Sequence, residues 1–303
     1  MRVVVTGATS MIGVALINEC IANGCEVLAI VRKGTSRLSR LQNSPLIKIK
    51  ECDFDSYDNM NIDDEYYDVF YHIAWGCTSR AERDFPLAQE NNIRATLSAV
   101  ELAHRLGCKK FIGAGSQAEY GLVDGVITPD TRPEPITTYG IAKLSANMLS
   151  RRMCELYKMT HIWGRIFSVY GTLDNDGTMI NYAVDQFIKE EPAIFSAATQ
   201  MWNYLNEKDA GKMFYLLGKS PAASGIYCIA NQHSMPLRNY ITALAQEYGN
   251  SAKCIFQPPS QEKMIGIQAD ISKTIEATDY IPTISFESGV REVIAFRKNG
   301  VIQ

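Results

Sequence analysis

The 303-residue chain reads as an α/β protein, a doubly wound parallel sheet followed by a smaller C-terminal α+β region. Three observations lead to this class. Short β-branched runs alternate with longer helical patterns through the first half of the chain. The runs are nearly all apolar, as strands buried on both faces of a parallel sheet must be. A glycine turn, Thr6-Gly7-Ala8-Thr9-Ser10-Met11-Ile12-Gly13, joins the first run to the first helical pattern.

Strands are expected over residues 2–6, 26–31, 46–50, 68–73, 110–114 and 161–167. Helical patterns fill the gaps at 11–22, 86–106 and 139–158. After about residue 168 the alternation loosens. Helices are expected near 179–189, 208–218, 235–248 and 287–296, and strands near 225–229 and 253–256. Ser234 reads as the N-cap of the 235–248 helix, with Pro236 in its first turn. The division expected is a first domain over 1–167 and a smaller one over 168–303, interleaved at a soft boundary.

The bulk numbers exclude several classes. A hydrophobic content of 46% supports a well-buried core, and a net charge of -3 gives no global attraction to nucleic acid or anionic membrane. Eight cysteines form no C-x-x-C pair, and the four histidines have no metal-ligand spacing. No metal site and no disulfide framework are expected, and a reducing compartment is. No apolar stretch approaches the roughly 20 residues that span a bilayer. No signal-peptide pattern is seen at the start of the sequence. The expectation is a soluble, cytoplasmic protein.

The glycine turn carries the first chemistry. Glycines there permit a tight turn and close helix–strand packing, and the helix N-terminus presents free N–H groups to a pyrophosphate. The first domain is therefore expected to be a dinucleotide-binding Rossmann domain. Ser10 stands where a third glycine is usual, and its hydroxyl is a phosphate ligand candidate. An acidic residue at the end of the second strand would favour NAD. Here the strand ends in Val31-Arg32-Lys33, and residues 27–50 hold six basic and no acidic side chains. Arg32 suits a 2′-phosphate, so NADP is expected, with NAD as the alternative. Asp53, after the third strand, is placed for the adenine.

The second chemistry is a phenol and an ammonium four residues apart, Tyr139 and Lys143. On a helix they share a face, and the ammonium is expected to lower the phenol pKa. A tuned phenol exchanges protons with a hydroxyl near neutral pH. Spacing alone does not single this pair out, because Tyr204 with Lys208 and Tyr215 with Lys219 match it too. Ser116 does single it out. It ends the run Phe111-Ile112-Gly113-Ala114-Gly115-Ser116, at the strand edge where ligands of doubly wound sheets bind.

With these pieces the chain resembles the extended short-chain dehydrogenase/reductase family, in the branch acting on nucleotide-linked sugars. The matching segments are Thr6–Gly13, His72-Ile73-Ala74, Asn92, Ser116 with Tyr120-Gly121, Tyr139–Lys143, Arg165 to Gly171, Asp209, and Ala269-Asp270-Ile271-Ser272-Lys273. The resemblance implies that Tyr139 is the general acid/base. It implies that Lys143 holds the nicotinamide ribose and that Ser116 bonds the reacting sugar oxygen. The cofactor set it implies is Gly7, Thr9, Ser10, Met11, Ile12, Gly13, Arg32, Asp53, Phe54, Ile73, Ala74, Asn92, Tyr139, Lys143 and Phe167. The substrate side is Gln117, Ser168 and Trp202. His72, Ala74 and Asn92 fall on cofactor-side or structural positions.

Three readings of the reaction stand. Sugar-nucleotide 4,6-dehydratases of the family place an acid two residues after the serine or threonine. Here that position is Ala118, after Gln117, and Glu119 comes one residue too late. Without a carboxylate in register, that elimination is disfavoured. Arg32 tips the expectation to NADPH-dependent reduction of a 4-keto nucleotide sugar. The alternative is an NAD-dependent 4-epimerase, and a dinucleotide sensor without turnover is the third reading. On the substrate side, many relatives have Asn at Ser168 and a diphosphate-binding Arg at Trp202. Tryptophan stacks but cannot neutralise a phosphate, and Arg238 is a candidate replacement. Family relatives often dimerise through the helices here at 86–106 and 139–158, where Ala99, Ala103, Ala142 and Ala146 would permit close packing, though they fit an ordinary buried helix face equally well.

Overall fold

Seven parallel strands carry the molecule, in the spatial order β12-β7-β5-β4-β1-β2-β3. In chain order the elements begin with β1 (Arg2–Thr6), α1 (Met11–Ala22), β2 (Glu26–Val31), β3 (Ile47–Glu51), β4 (Val69–His72), α2 (Pro86–Arg105), β5 (Lys110–Ser116), β6 (Val126–Ile127), α3 (Thr138–Leu156) and β7 (Thr160–Ile166). There follow β8 (Ser168–Tyr170), α4 (Met179–Ile188), β9 (Ala193–Phe195), β10 (Met201–Trp202), β11 (Tyr204–Asn206), α5 (Glu207–Lys219) and β12 (Gly225–Ile229). The chain closes with β13 (Met235–Pro236), α6 (Leu237–Tyr248), β14 (Cys254–Phe256), β15 (Gln268–Ala269), α7 (Ser272–Thr278) and α8 (Phe286–Gly300). This is a computed structural model, which describes residues 1–60, 66–79, 82–249, 252–259 and 266–300.

Alternation along each strand builds two core layers. Val3 and Val5 of β1 face one side with Leu16 and Ile17 of α1 and Met213, Phe214 and Leu217 of α5. Val4 faces the other with Phe70, Phe111 and the α2 residues Ala99, Val100, Leu102 and Ala103. Gly211 lets α5 close onto α1, since a Cβ there would lie 2.5 Å from the Ala15 carbonyl carbon. A third cluster, with Phe187, Tyr240, Leu244, Phe286 and Val290, joins α4, α6 and α8 in the smaller region.

Three expectations are corrected. The run at 46–50 is an edge strand, β3, whose residues are mostly exposed. Its Lys48 and Lys50 suit an open edge rather than a doubly covered strand. The run at 225–229 is β12, which pairs with β7 and completes the main sheet from beyond residue 167. Ser234 is not an N-cap: Met235–Pro236 pairs antiparallel with β10, and α6 begins at Leu237 with Pro236 as its extended cap. Of the two readings of Ala99, Ala103, Ala142 and Ala146, the structure has the ordinary buried helix face: all four are buried within the chain.

Among the described residues no helix is long and apolar enough to cross a membrane. None of them form a cluster of three or more His, Cys, Asp or Glu that could hold a metal.

Candidate active site

The glycine turn is shaped by close contacts. Gly7 has φ of +66°, and a Cβ on it would lie 2.6 Å from the Ala74 nitrogen. Gly13 lies against the Gly7 carbonyl, with no room for a side chain. Ser10 caps α1, its Oγ accepting from the Gly13 N–H at 3.1 Å. The first helical bond runs from the Val14 N–H to the Ser10 carbonyl, 2.8 Å. The N–H groups of Met11 and Ile12 thus sit in the first turn, where an α-helix offers them no internal acceptor. That donor pair and the side-chain-free cradle fit a pyrophosphate.

Residues behind the turn hold it in place. Thr6 Oγ1 bonds His72 Nδ1 at 2.9 Å and accepts from the Ala74 N–H at 3.3 Å. His72 Nε2 meets Thr96 Oγ1 at 3.3 Å. Burial, with Lys143 nearby, pushes the His72 pKa down to about 3, so the ring is neutral. Asn92 accepts from the Gly76 N–H at 2.7 Å and donates to the Gly76 carbonyl at 3.1 Å. Both residues shape the segment after β4. Phe54 packs beside Gly76, Ile73 is buried in the core, and Phe167 is buried with Tyr120 and Cys228.

On the basic loop Arg32 is exposed. Asp53 Oδ1 accepts from the Lys33 N–H at 3.2 Å. Arg40, which the sequence reading passed over, reaches back to the turn. Its Nη1 donates to the Thr9 carbonyl at 3.2 Å. Burial and the neighbouring Arg37 hold its pKa below the usual value.

Ser116 ends β5, and Tyr139 and Lys143 lie on the first two turns of α3. Thr137 caps that helix by accepting from the Gly140 N–H at 3.1 Å. Asp84 adds a second anchor, accepting from the Thr138 N–H at 2.7 Å. Lys143 is buried, and its Nζ donates to the Ala114 carbonyl at 2.6 Å. The Trp75 ring lies under that ammonium, 3.6 Å from Nζ to the ring centre. The same indole meets the Tyr139 ring edge-on at 6.0 Å and donates through Nε1 to Gln89 at 3.0 Å. Above Tyr139 lies the exposed Arg83 guanidinium, 4.2 Å from the ring centre.

The electrostatics differ from the expectation. Burial raises the Tyr139 pKa, Arg83 and then the Ser116 hydroxyl oppose the rise, and Glu119 adds to it. The cation that tunes the phenol is therefore Arg83. Lys143 is itself pushed down to about 7 by burial, against the pull of Glu119.

On the substrate side, Gln117 opens a 3₁₀ turn after Ser116 and is half-buried, as is Ser168 on β8. Trp202 packs between two core clusters, its ring 6.4 Å from that of Tyr204. Among the described residues its buried Nε1 has no hydrogen-bond partner, and neither does the Gln200 Oε1. Gln200 and Met201 border a cavity of about 210 Å³ with Val123, Asp124, Gly125, Gly266 and Gln268. Arg238 does not turn towards that cavity's lining; it lies over the Phe256 ring at 4.2 Å. Glu119 points into the core.

Residues 3–230 match the NAD dependent epimerase/dehydratase family. The chain belongs to that family. It is an enzyme of the extended short-chain dehydrogenase/reductase type, as the sequence resemblance implied. A UDP-glucose epimerase of Bacillus subtilis, itself uncharacterized, is 23% identical over 98% of both chains. The fold matches the UDP-N-acetylglucosamine 4-epimerase of Methanobrevibacter ruminantium with a TM-score of 0.88, at 20% identity over 99% of this chain and 98% of that one. The UDP-glucuronic acid 4-epimerase of Bacillus cereus, solved with NAD, matches with a TM-score of 0.83 at 23% identity, over 99% and 97% of the two chains.

Three side chains have no motif signal in the sequence: Trp75 and Arg83 beside the pair, and Arg40 beside the glycine turn. Trp75 follows His72-Ile73-Ala74 directly, and its size at a strand end was the available signal. Arg83 and Arg40 lie in loops, and nothing in their spacing marks them.

Proposed function

We propose that the protein is a nucleotide-sugar 4-epimerase that uses a dinucleotide held on the glycine turn. The observation that carries this reading is the convergence of Ser116, Tyr139 and Lys143 beside that turn, with no carboxylate free to act at 117 or 118. The epimerase names of the relatives support it over the reduction expected from the sequence. A bound nicotinamide supplies a hydride acceptor that becomes the donor for the return step. Tyr139 accepts the proton of the C4 hydroxyl and returns it to the same oxygen; inversion comes from return of the hydride to the other face of C4 once the 4-keto sugar has turned over. Ser116 donates to the same oxygen as carbonyl character develops. Lys143 holds the nicotinamide ribose, and the N–H groups of Met11 and Ile12 with Ser10 hold the pyrophosphate. The nucleobase and diphosphate lie towards Trp202 and the cavity beside Gln200.

One observation favours the second reading, an NADPH-dependent 4-keto reductase. Arg32, Arg37 and Arg40 lie on the segment after β2, and Arg40 reaches the Thr9 carbonyl of the glycine turn. The two readings separate by experiment. The protein as purified is assayed for bound dinucleotide by mass spectrometry, then given UDP-glucose or UDP-glucuronate without added cofactor. Bound NAD and inversion at C4 are expected. NADPH oxidation confined to a 4-keto sugar nucleotide, and lost in Arg32→Asp, would establish the reductase instead. The same reading takes the chain as a homodimer, with the exposed Leu87 on α2 and Met148, Leu149 and Leu156 on α3 at the interface.

A further inference from the structure

We infer that Glu119 is a positioning residue: its buried carboxylate fixes the main chain of Ser116 and so sets where the serine hydroxyl meets the reacting oxygen. The carboxylate has 0% exposure and three donors converge on it. Oε1 accepts from the Ser116 N–H at 2.8 Å and from Trp163 Nε1 at 2.9 Å. Oε2 accepts from Arg165 Nε at 2.7 Å, inside a buried ion pair. The Arg165 guanidinium also lies over the Tyr120 ring at 4.2 Å.

The reach of this network explains the small residues before Ser116. A side chain on Gly113 would strike the six-membered ring of Trp163, and one on Gly115 would strike its Nε1 and lie 2.7 Å from Glu119 Oε1. Two glycines on β5 therefore make room for an indole on β7 that grips the carboxylate. The carboxylate in turn grips the residue that ends β5. Glu119 and Ser116 close a capping box, in which Ser116 Oγ accepts from the Ala118 N–H at 3.2 Å. With that lone pair engaged, the hydroxyl proton remains available for donation outward.

A buried ion pair is weak evidence for stability, since desolvation offsets much of its attraction. Its placement here is better explained by geometry. A misplacement of about 1 Å costs on the order of 100-fold in rate, and Glu119 is the group that removes that freedom from Ser116. Its charge also acts on the pair beyond. Glu119 raises both Tyr139 and Lys143, while Arg83 opposes it at both and Arg165 faces it from β7. Tyr120, under the Arg165 guanidinium and 3.9 Å from Cys228 of β12, is a further titratable group beside the pair.

The test rests on the epimerase reading only for its turnover arm. Glu119→Gln keeps one acceptor oxygen and removes the charge. Expected are dinucleotide binding within about twofold of wild type and a kcat lower by about 10–100-fold. The Tyr139 phenol should also titrate at lower pH, followed as the ultraviolet difference from Tyr139→Phe. The phenol titration needs no substrate, so it stands even if no nucleotide sugar turns over. An unmoved midpoint with wild-type kcat in folded Glu119→Gln would overturn the inference. If that variant does not fold, Trp163→Phe removes the N–H donor with the five-membered ring and keeps one aromatic ring. It should lower kcat severalfold without moving the phenol midpoint, and wild-type kcat there would equally overturn the inference.

Discussion

Two helices of this protein carry a tyrosine and a lysine four residues apart, and the fold sets the two pairs in different surroundings. On α3, Tyr139 and Lys143 face the carboxyl edge of the sheet beside Ser116. The lysine there is buried, with its Nζ 2.6 Å from the Ala114 carbonyl. On α5, Tyr215 is buried against Cys20 and Cys25 at the far end of α1, and Lys219 is exposed with Nζ 5.9 Å from the ring centre. The third match is no helix pair at all, since Tyr204 lies on β11 and Lys208 on α5. Spacing decides which face two side chains share. The winding of the chain decides which edge of the sheet that face meets.

The largest test of this contrast removes each phenol oxygen. Tyr139→Phe should lower kcat by about 10²–10⁴-fold, the range of a lost acid/base group. Tyr215→Phe should leave kcat within about twofold of wild type. Comparable losses in both variants would mean that position in the sheet does not separate the pairs.

The second test uses burial. The Lys143 pKa is about 7 in the folded chain against 10.5 for the free side chain, and burial is the cause. Between those values the unfolded chain binds a proton that the folded chain does not. Stability from this group is therefore complete above about pH 10.5 and is lost as pH falls towards 7. Urea denaturation of dinucleotide-free protein should show wild type gaining on Lys143→Met as pH rises from 7.5 to 9.5, by at most about 1.4 kcal/mol per pH unit. A difference that is flat or falling with pH would show Lys143 to be charged in its burial.

Much of this was legible in the sequence, for identifiable reasons. β1, α1 and β2 follow from apolar runs and a capped glycine turn that local rules describe well. Ser116 stands out in the sequence because a strand end in a doubly wound sheet has a known use, and it does end β5. What escaped depended on contacts between distant segments. Arg83 stands over Tyr139 only because Asp84 docks its loop on the start of α3. Glu119 looked like a misplaced acid until Trp163 and Arg165, more than 40 residues on, turned out to hold it. Met235–Pro236 was taken into a helix because its partner, β10, is remote in the chain. Apolar spacing also overstated the third strand, since alternation cannot tell an edge from a centre.

The smallest effect discriminates most sharply, because its sign is opposed to that of Glu119→Gln. Arg83 is exposed and lies 4.2 Å from the centre of the Tyr139 ring, where it lowers the phenol pKa against burial. In epimerisation Tyr139 must first accept a proton, so the acid limb of kcat reports that pKa. Arg83→Ala should move the limb to higher pH by about 0.2–0.7 unit, the worth of one exposed charge. Salt should erase the difference between wild type and Arg83→Ala, because a solvated guanidinium is screened over a Debye length. The Glu119→Gln shift runs to lower pH and should survive the same salt, because that carboxylate is buried among Ser116, Trp163 and Arg165. Two shifts of one sign, or two that salt removes alike, would mean that Tyr139 is tuned by something other than a solvated cation above it and a buried anion behind.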